Sequence, residues 1–375
     1  MIDDTLRLIQ ESVRKFVEKE VVPHGHKWEE QGFVPREVLR DMGRLGFLGL
    51  RYAEEFGGGA LDARATALLA EELGRSTYSG FAITVLVHTD MASPHLVNAG
   101  SPAQIRKYLP KIVSGELITA VAVTEPDAGS DVKGIKTRAV RDGADWLLKG
   151  SKMFITNGAL ADLYFVAAKT DPAAGSKGIS IFIVEKGMPG FTVGRRLDKM
   201  GWRSSDTAEL VFDGCRVPAA NVLGEENRGF YAIMKNFQNE RIAIAAMAMG
   251  EASKAIELTL EYVKTRKAFG APLWDKQAIR QRLSMLAARV EAGRQLVLHA
   301  ASLDAAKRDC VKEVSMAKAY CAELLNEVVY DCLQFHGGFG YIKESAIERM
   351  YRDARVQTIG GGATEVMLEE VAKRM

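Results

Sequence analysis

Glu240-Arg241 is the pair best placed for chemistry in this sequence, because it stands directly before the apolar run Ile242 to Met249. A carboxylate at the mouth of a buried helix is partly desolvated. Its pKa rises, and it can then serve as a general base. The plainer reading makes Glu240 a first-turn charge and Arg241 a solvated neighbour, and the residue types alone favour it. Gly337-Gly338-Phe339-Gly340 and Gly360-Gly361-Gly362 are glycine clusters near expected helix ends. They read as helix caps and turns, or as places where backbone closes on a ligand; composition favours the first. Cys215, Cys310, Cys321 and Cys332 contain no C-x-x-C pair, so neither zinc nor a redox dithiol is indicated. The last three recur every eleven residues, about three helical turns, and read as small buried apolar residues. The six histidines show no metal-ligand spacing. His24 and His26, beside Pro23 and Gly25 at a helix end, are the weak exceptions considered, and no metal is expected.

Three blocks must position these residues. Thr5 to Val22 has Leu6, Ile9, Val13, Phe16 and Val17 at helical spacing, and Pro23 and Gly25 end it. Pro35 suits the first turn of a helix running to about Arg44. Gly57-Gly58-Gly59 precedes a helix over Asp62 to Gly74, and two more are expected near Phe81 to Asn98 and Pro102 to Val113. Short β-rich runs follow: Ile118–Val123, Trp146–Leu148, Phe154–Thr156, Leu163–Ala167, Ile179–Val184 and Glu209–Phe212. Asp142-Gly143 and Lys149-Gly150 read as turns between them, and the spacing suggests a small antiparallel sheet or barrel. Helical period returns from about Gly229, with long segments Arg241 to Lys264, Trp274 to His299 and Val311 to Phe335 suggesting an antiparallel bundle. The expected fold is α+β, with boundaries at 1–117, 118–226 and 227–375.

Composition narrows the function. Lys+Arg 50 nearly cancel Asp+Glu 48, which argues against phosphate-driven binding of nucleic acid. The start Met1-Ile2-Asp3-Asp4 is acidic with no apolar stretch behind it, so no secretory signal is expected. The longest apolar run is far too short to span a bilayer. A cytoplasmic address follows by default, although a cleaved transit peptide would leave no trace. No G-x-G-x-x-G after a strand, no P-loop and no G-x-S-x-G occur, which disfavours a Rossmann domain, a P-loop fold and an α/β-hydrolase.

Several segments together resemble the acyl-CoA dehydrogenase family. They are Glu54-Glu55-Phe56-Gly57-Gly58, Thr124-Glu125-Pro126-Asp127-Ala128-Gly129-Ser130-Asp131, and Gly150-Ser151-Lys152-Met153-Phe154-Ile155-Thr156-Asn157. Arg266-Lys267-Ala268-Phe269-Gly270, Gln277, Gln334-Phe335-His336-Gly337-Gly338-Phe339-Gly340 and Tyr351-Arg352-Asp353-Ala354-Arg355 follow in the family's order, and the set covers nearly the whole chain. The resemblance implies a helical N-terminal domain, a central β-barrel-like domain and a C-terminal four-helix bundle. It also implies FAD, an acyl-CoA substrate, an electron-transferring flavoprotein as acceptor, and a homotetramer made of two dimers.

Carried over by position, Val123, Thr124 and Ser130 line flavin and substrate, with Ser130 facing the pantetheine arm. Phe154 stacks near the isoalloxazine, and Thr156 bonds flavin N5. Arg266, Phe269 and Gln277 meet the FAD of a partner subunit, while Gln334, Gly337 and Gly338 cradle its pyrophosphate or adenosine. Gln238, Arg241 and Gly360 are placed along the acyl-CoA. The family's reaction removes the thioester's α-proton and passes hydride from the β-carbon to flavin N5, giving a trans-2-enoyl-CoA.

One departure is informative. Many relatives carry the base in an I-Y-E-G-T segment, but here the matching stretch is Ile359-Gly360-Gly361-Gly362-Ala363. A subset similar to isovaleryl- and long-chain acyl-CoA dehydrogenases instead places the base before an Arg on the C-terminal helix, which makes Glu240 the base here. The peptide N–H of Gly361 can still serve as an oxyanion donor. Ala363 replaces the usual Thr, so that flavin contact falls to Thr364 or Glu365. Gly360 in place of a bulky Tyr leaves room for branched or long acyl groups. The alternatives are an acyl-CoA oxidase or flavin monooxygenase on the same fold, or a non-catalytic member.

Overall fold

The computed structural model describes residues 3–375; Met1 and Ile2 of the acidic start lie outside it. The N-terminal helices are α1 (Asp4–Phe16), α2 (Gly25–Gln31), α3 (Arg36–Arg44), α4 (Ala63–Gly74), α5 (Ser79–Leu86), α6 (Ser93–Ala99) and α7 (Pro102–Val113). Local chemistry sets their starts. The Asp3 side chain caps α1, accepting from the Leu6 N–H at 3.0 Å, and Ser101 and Gln104 form a reciprocal capping box at α7. The helix read over Phe81 to Asn98 is interrupted by a π-helical stretch, Val87–Ala92. Such a stretch misaligns the backbone ladder and frees carbonyls for other partners.

The sheet comprises β1 (Thr119–Ala122), β2 (Arg138–Asp142), β3 (Asp145–Thr156), β4 (Leu163–Lys169), β5 (Ile179–Glu185), β6 (Phe191–Arg196), β7 (Thr207–Pro218) and β8 (Val222–Leu223). Its order is β6-β7-β3-β2-β4-β5-β8, with β1 pairing β4 in parallel. The expected barrel is therefore corrected to an open, mostly antiparallel sheet. Asp142-Gly143 is a turn, as expected, but Lys149-Gly150 is not. It lies inside β3, where Gly150 pairs with Phe212 and a Cβ on it would stand 2.6 Å from Thr137 Oγ1, while the register shift between Leu148 and Lys149 falls on β7, where Gly214 is the extra residue.

The C-terminal region holds α8 (Gly229–Thr265), the small hairpin β9 (Lys267–Ala268) and β10 (Ala271–Pro272), α9 (Gln277–Ala305), α10 (Val311–His336), α11 (Ala346–Ala354) and α12 (Thr364–Ala372). Helix α8 starts twelve residues before Arg241, so Glu240 sits within the helix rather than at its mouth. The first-turn reading fails with it. Small residues let α8 meet α4 backbone to backbone: a Cβ on Gly250 would stand 1.9 Å from the Glu71 carbonyl oxygen, and one on Gly74 would stand 2.3 Å from that of Met247. This close crossing accounts for the Ala- and Gly-rich run after Glu240 and buries that part of the helix on all sides. All four cysteines are buried and unbridged. Among the described residues no helix is long and apolar enough to cross a membrane.

Candidate active site

Glu240 is buried, and its neighbours come from three parts of the chain. One turn earlier on α8, Asn236 Nδ2 donates to Glu240 Oε1 at 3.2 Å and to the Met91 carbonyl at 2.8 Å. Asn239 Nδ2 donates to the Asp90 carbonyl at 2.7 Å. Both carbonyls belong to the π-helical stretch, so the backbone groups it frees are captured by α8 beside Glu240. Tyr52 steadies the same stretch through its hydroxyl, which donates to the Thr89 carbonyl at 2.7 Å. Arg51 bridges Asn239 and Asp304. Burial pushes the Glu240 carboxyl up to about 8, against the opposing pull of the Asn236 amide and the Arg241 cation. A carboxylate so placed accepts a proton near neutral pH far better than an ordinary glutamate does.

One turn further along α8, Ile244 meets the glycine cluster. A Cβ on Gly361 would stand 2.3 Å from Ile244 Cδ1, and Gly361 has φ +65°. Only glycine brings the backbone this close without displacing Ile244. Gly361 is therefore brought to the face of α8 that carries Glu240, since residues four apart share a face. Gly360 is open: a Cβ there would meet only the Val356 carbonyl, at 3.6 Å. Arg241 lies by Gly362, buried, with its Nε lacking a hydrogen-bond partner and its guanidinium 5.5 Å from the Phe237 ring centroid. Gln238 points elsewhere; its Oε1 accepts from Cys310 Sγ at 3.4 Å. Thr364 donates to Glu323 at 2.8 Å, and Glu365 is exposed.

The β-region motifs are tied together by a buried ion pair. Lys152 Nζ donates to Glu125 Oε1 at 2.8 Å and to the Val123 carbonyl at 2.9 Å. Burial pushes this ammonium down to about 8. The Met153 N–H donates to the Thr124 carbonyl at 2.9 Å. Val123 and Thr124 are thus locked beside the end of β3. There a second register shift, between Lys152 and Ile155, holds Phe154 at φ +60° with 64% of its surface exposed. A left-handed aromatic costs roughly 1–3 kcal/mol and marks sites where a ligand is met. Thr156 follows on the same strand, while Ser130 is exposed on its loop.

A second constellation lies at the far end of α8. Tyr262, Arg266, Leu273, Phe335, His336, Gly337, Gly338 and Phe339 line a cavity of about 550 Å³. Tyr262 stacks on His336 with centroids 4.4 Å apart. Among the described residues the Arg266 guanidinium makes no ion pair. The β9–β10 turn presents Phe269 at φ +53°, 97% exposed, and Gln277 and Gln334 are exposed nearby in the chain at helix ends. At 1.5 Å per residue, Tyr262 lies about 33 Å along α8 from Glu240. The donor set fits a long ligand with a flat ring at Phe154 and an anionic pyrophosphate at Arg266, but one protomer separates the two constellations. Asn236 was not singled out from sequence, although its i, i+4 spacing to Glu240 on a helix is a signal that could have found it.

Comparison with known proteins gives one answer along the whole chain. Residues 3–116, 120–215 and 227–375 match the family models described as acyl-CoA dehydrogenase N-terminal, middle and C-terminal domain. The long-chain specific acyl-CoA dehydrogenase of Mus musculus mitochondria is 44% identical over 98% of this chain and 86% of its own length. The mitochondrial isovaleryl-CoA dehydrogenase of Oryza sativa is 38% identical over 98% of this chain and 90% of its own. A glutaryl-CoA dehydrogenase of Mycobacterium smegmatis, solved in complex with FADH2, superposes with a TM-score of 0.93 at 31% identity, covering 99% of this chain and 94% of that one.

Proposed function

This chain belongs to the acyl-CoA dehydrogenase family, and on that premise we propose that it oxidises a fatty or branched-chain acyl-CoA to the trans-2-enoyl-CoA, with Glu240 as the base. The observation that carries the reading is a buried carboxylate one helical turn from the side chain on which Gly361 rests. Glu240 takes the α-proton. The Gly361 N–H donates to the thioester oxygen as charge gathers there, and such a donor is worth most where water is excluded. Arg241, Ser130 and Gly360 line the path of the acyl-CoA, and Gln238, turned to Cys310, is left off it. When bound, FAD supplies a hydride acceptor at N5 and a route for the electrons to an electron-transferring flavoprotein. Val123, Thr124, Phe154 and Thr156 would hold its ring system, with Thr364 or Glu365 as a further contact. Anaerobic titration with acyl-CoAs of different length and branching tests the reading: bleaching of the yellow protein supports it, and no bleaching by any of them contradicts it.

The pH dependence has a definite sign. A base must be ionised to act, and Glu240 titrates at about 8. Second-order reduction of the flavin is therefore expected to rise with pH and level off above about 8, close to tenfold per unit below it. A flat profile between about pH 6 and pH 9 contradicts the assignment.

Arg266, Phe269, Gln277, Gln334, Gly337 and Gly338 contribute to the FAD of a neighbouring subunit in a dimer of dimers. The distance along α8 supports this, because Tyr262, at this end of the helix, is about 33 Å from the chain's own Glu240. Arg266→Ala removes a guanidinium suited to a pyrophosphate oxygen. It is expected to lower FAD content after dilution and, by linkage, to promote dissociation of the oligomer. Full flavin content in a dilute Arg266→Ala sample would count against the contact.

A further inference from the structure

Three successive glycines, 360 to 362, surround the proposed oxyanion donor, and Gly361 and Gly362 have φ of +65° and +106°. Glycines impose little orientation of their own and lose the most freedom on ordering. The direction of the Gly361 N–H must therefore be set from outside the loop.

Two buried contacts flank it. On the N-terminal side, Gln357 Nε2 donates to Glu251 Oε1 at 2.7 Å, and both side chains are wholly buried. On the C-terminal side, the Lys318 ammonium reaches from α10 to the carbonyl of Gly362. Lys318 is also wholly buried and is in ion-pair contact with no carboxylate among the described residues. Burial, with the Arg241 cation beside it, pushes this ammonium down to about 8. Burial and the neighbouring Asp353 hold the Glu251 carboxyl well above the usual range. Both groups cost stability where they stand, and an apolar side chain of similar volume would serve a core better.

Their placement on α8 gives the reason. Ile244 and Glu251 follow Glu240 by four and eleven residues, so all three lie within about 40° of one stripe. The segment 357–361 runs antiparallel along that stripe, with Gln357 at Glu251 and Gly361 at Ile244. We propose that Lys318 and the Glu251–Gln357 pair are positioning residues that stretch this segment along the Glu240 face of α8 and aim the Gly361 N–H at the thioester oxygen. The proposal rests on the reading of Gly361 as oxyanion donor.

The test uses FAD-loaded Lys318→Met, Glu251→Leu and Glu251→Gln. Melting temperature, amide exchange over 356–363, acyl-CoA affinity and single-turnover flavin reduction are measured on each. Lys318→Met replaces a buried cation with an apolar isostere, so it is expected to melt at or above wild type. Lys318→Met and Glu251→Leu are expected to bind acyl-CoA normally, exchange the 356–363 amides faster, and reduce flavin about 10- to 100-fold more slowly. Glu251→Gln, whose amide oxygen still accepts from Gln357, recovers most of the rate. A more stable but slower enzyme is a pairing that a merely structural role for Lys318 does not produce. Reduction within about twofold of wild type in both variants overturns the proposal, as does faster loop exchange without slower reduction. Wild-type protein that no acyl-CoA reduces would overturn the underlying dehydrogenase reading as well, which keeps the two failures apart.

Discussion

Glu240→Gln is expected to keep FAD and acyl-CoA yet lose flavin reduction by roughly two to four orders of magnitude. The amide has the shape of the carboxyl it replaces, and its oxygen can still accept from Asn236, so fold and binding survive. It cannot take a proton at neutral pH, so the chemical step fails. Stability should move the other way. Burial lifts the folded carboxyl to about 8 from its ordinary 4.5. The folded protein thus holds a proton that the unfolded chain releases between those values, and stability falls as pH rises through that window. Glutamine has no such proton. The variant is expected to melt above wild type at about pH 8, with the gap closing toward about pH 5. Stopped-flow reduction and calorimetry on one preparation check both halves. Near-normal reduction across a range of acyl-CoAs would remove Glu240 from the mechanism.

Moving the carboxylate should restore part of the activity, and the structure says what limits it. Glu240 lies inside α8, where glycine costs about 1 kcal/mol more than alanine, so the suitable background is Glu240→Ala. In Gly361→Glu the new Cβ would stand 2.3 Å from Ile244 Cδ1. Ile244→Val deletes that methyl group. The new side chain also sits at φ +65°, a strain of roughly 1–2 kcal/mol. The double variant Glu240→Ala/Gly361→Glu is expected to be nearly inactive. Adding Ile244→Val should raise single-turnover reduction at least about tenfold, with branched acyl groups recovering least because the carboxylate fills the space at Gly360 and Gly361. No gain from Ile244→Val in protein that binds FAD and acyl-CoA would mean that Gly361 does not face the reacting carbon.

How much of this was legible in the chain differs by feature. Pro102 and the Ser101/Gln104 pair fix α7 locally, and its expected span agrees with the observed one. The ordered motifs pointed to Glu240 because the carboxylate missing at 361 needed a substitute. Their spacing could not reveal that Lys152 of one motif pairs with Glu125 of another, since that contact joins β3 to the loop after β1, 27 residues earlier. Strand β3 was misread at Lys149-Gly150 because a glycine that admits a close neighbour inside a strand, here Thr137, carries the same local signal as a glycine in a turn. Strands β2 and β6 were missed because their exposed, charged residues hide the alternation. The parallel pairing of β1 with β4 is a topological fact without local signature. Lys318 was invisible for a similar reason: its partner is a backbone carbonyl 44 residues away, and backbone carbonyls carry no residue type.

The most direct test of Glu240 as the proton acceptor separates proton removal from redox chemistry. The ligand is an acyl-CoA deuterated at the α-carbon and dimethylated at the β-carbon, which leaves it no hydride to lose. Mass spectrometry follows loss of α-deuterium to solvent in wild type and in Glu240→Gln, each loaded with FAD. Washout by the wild type that quickens with pH up to about 8, with none above the buffer rate in Glu240→Gln, is the result predicted. Equal washout by the two proteins would contradict it.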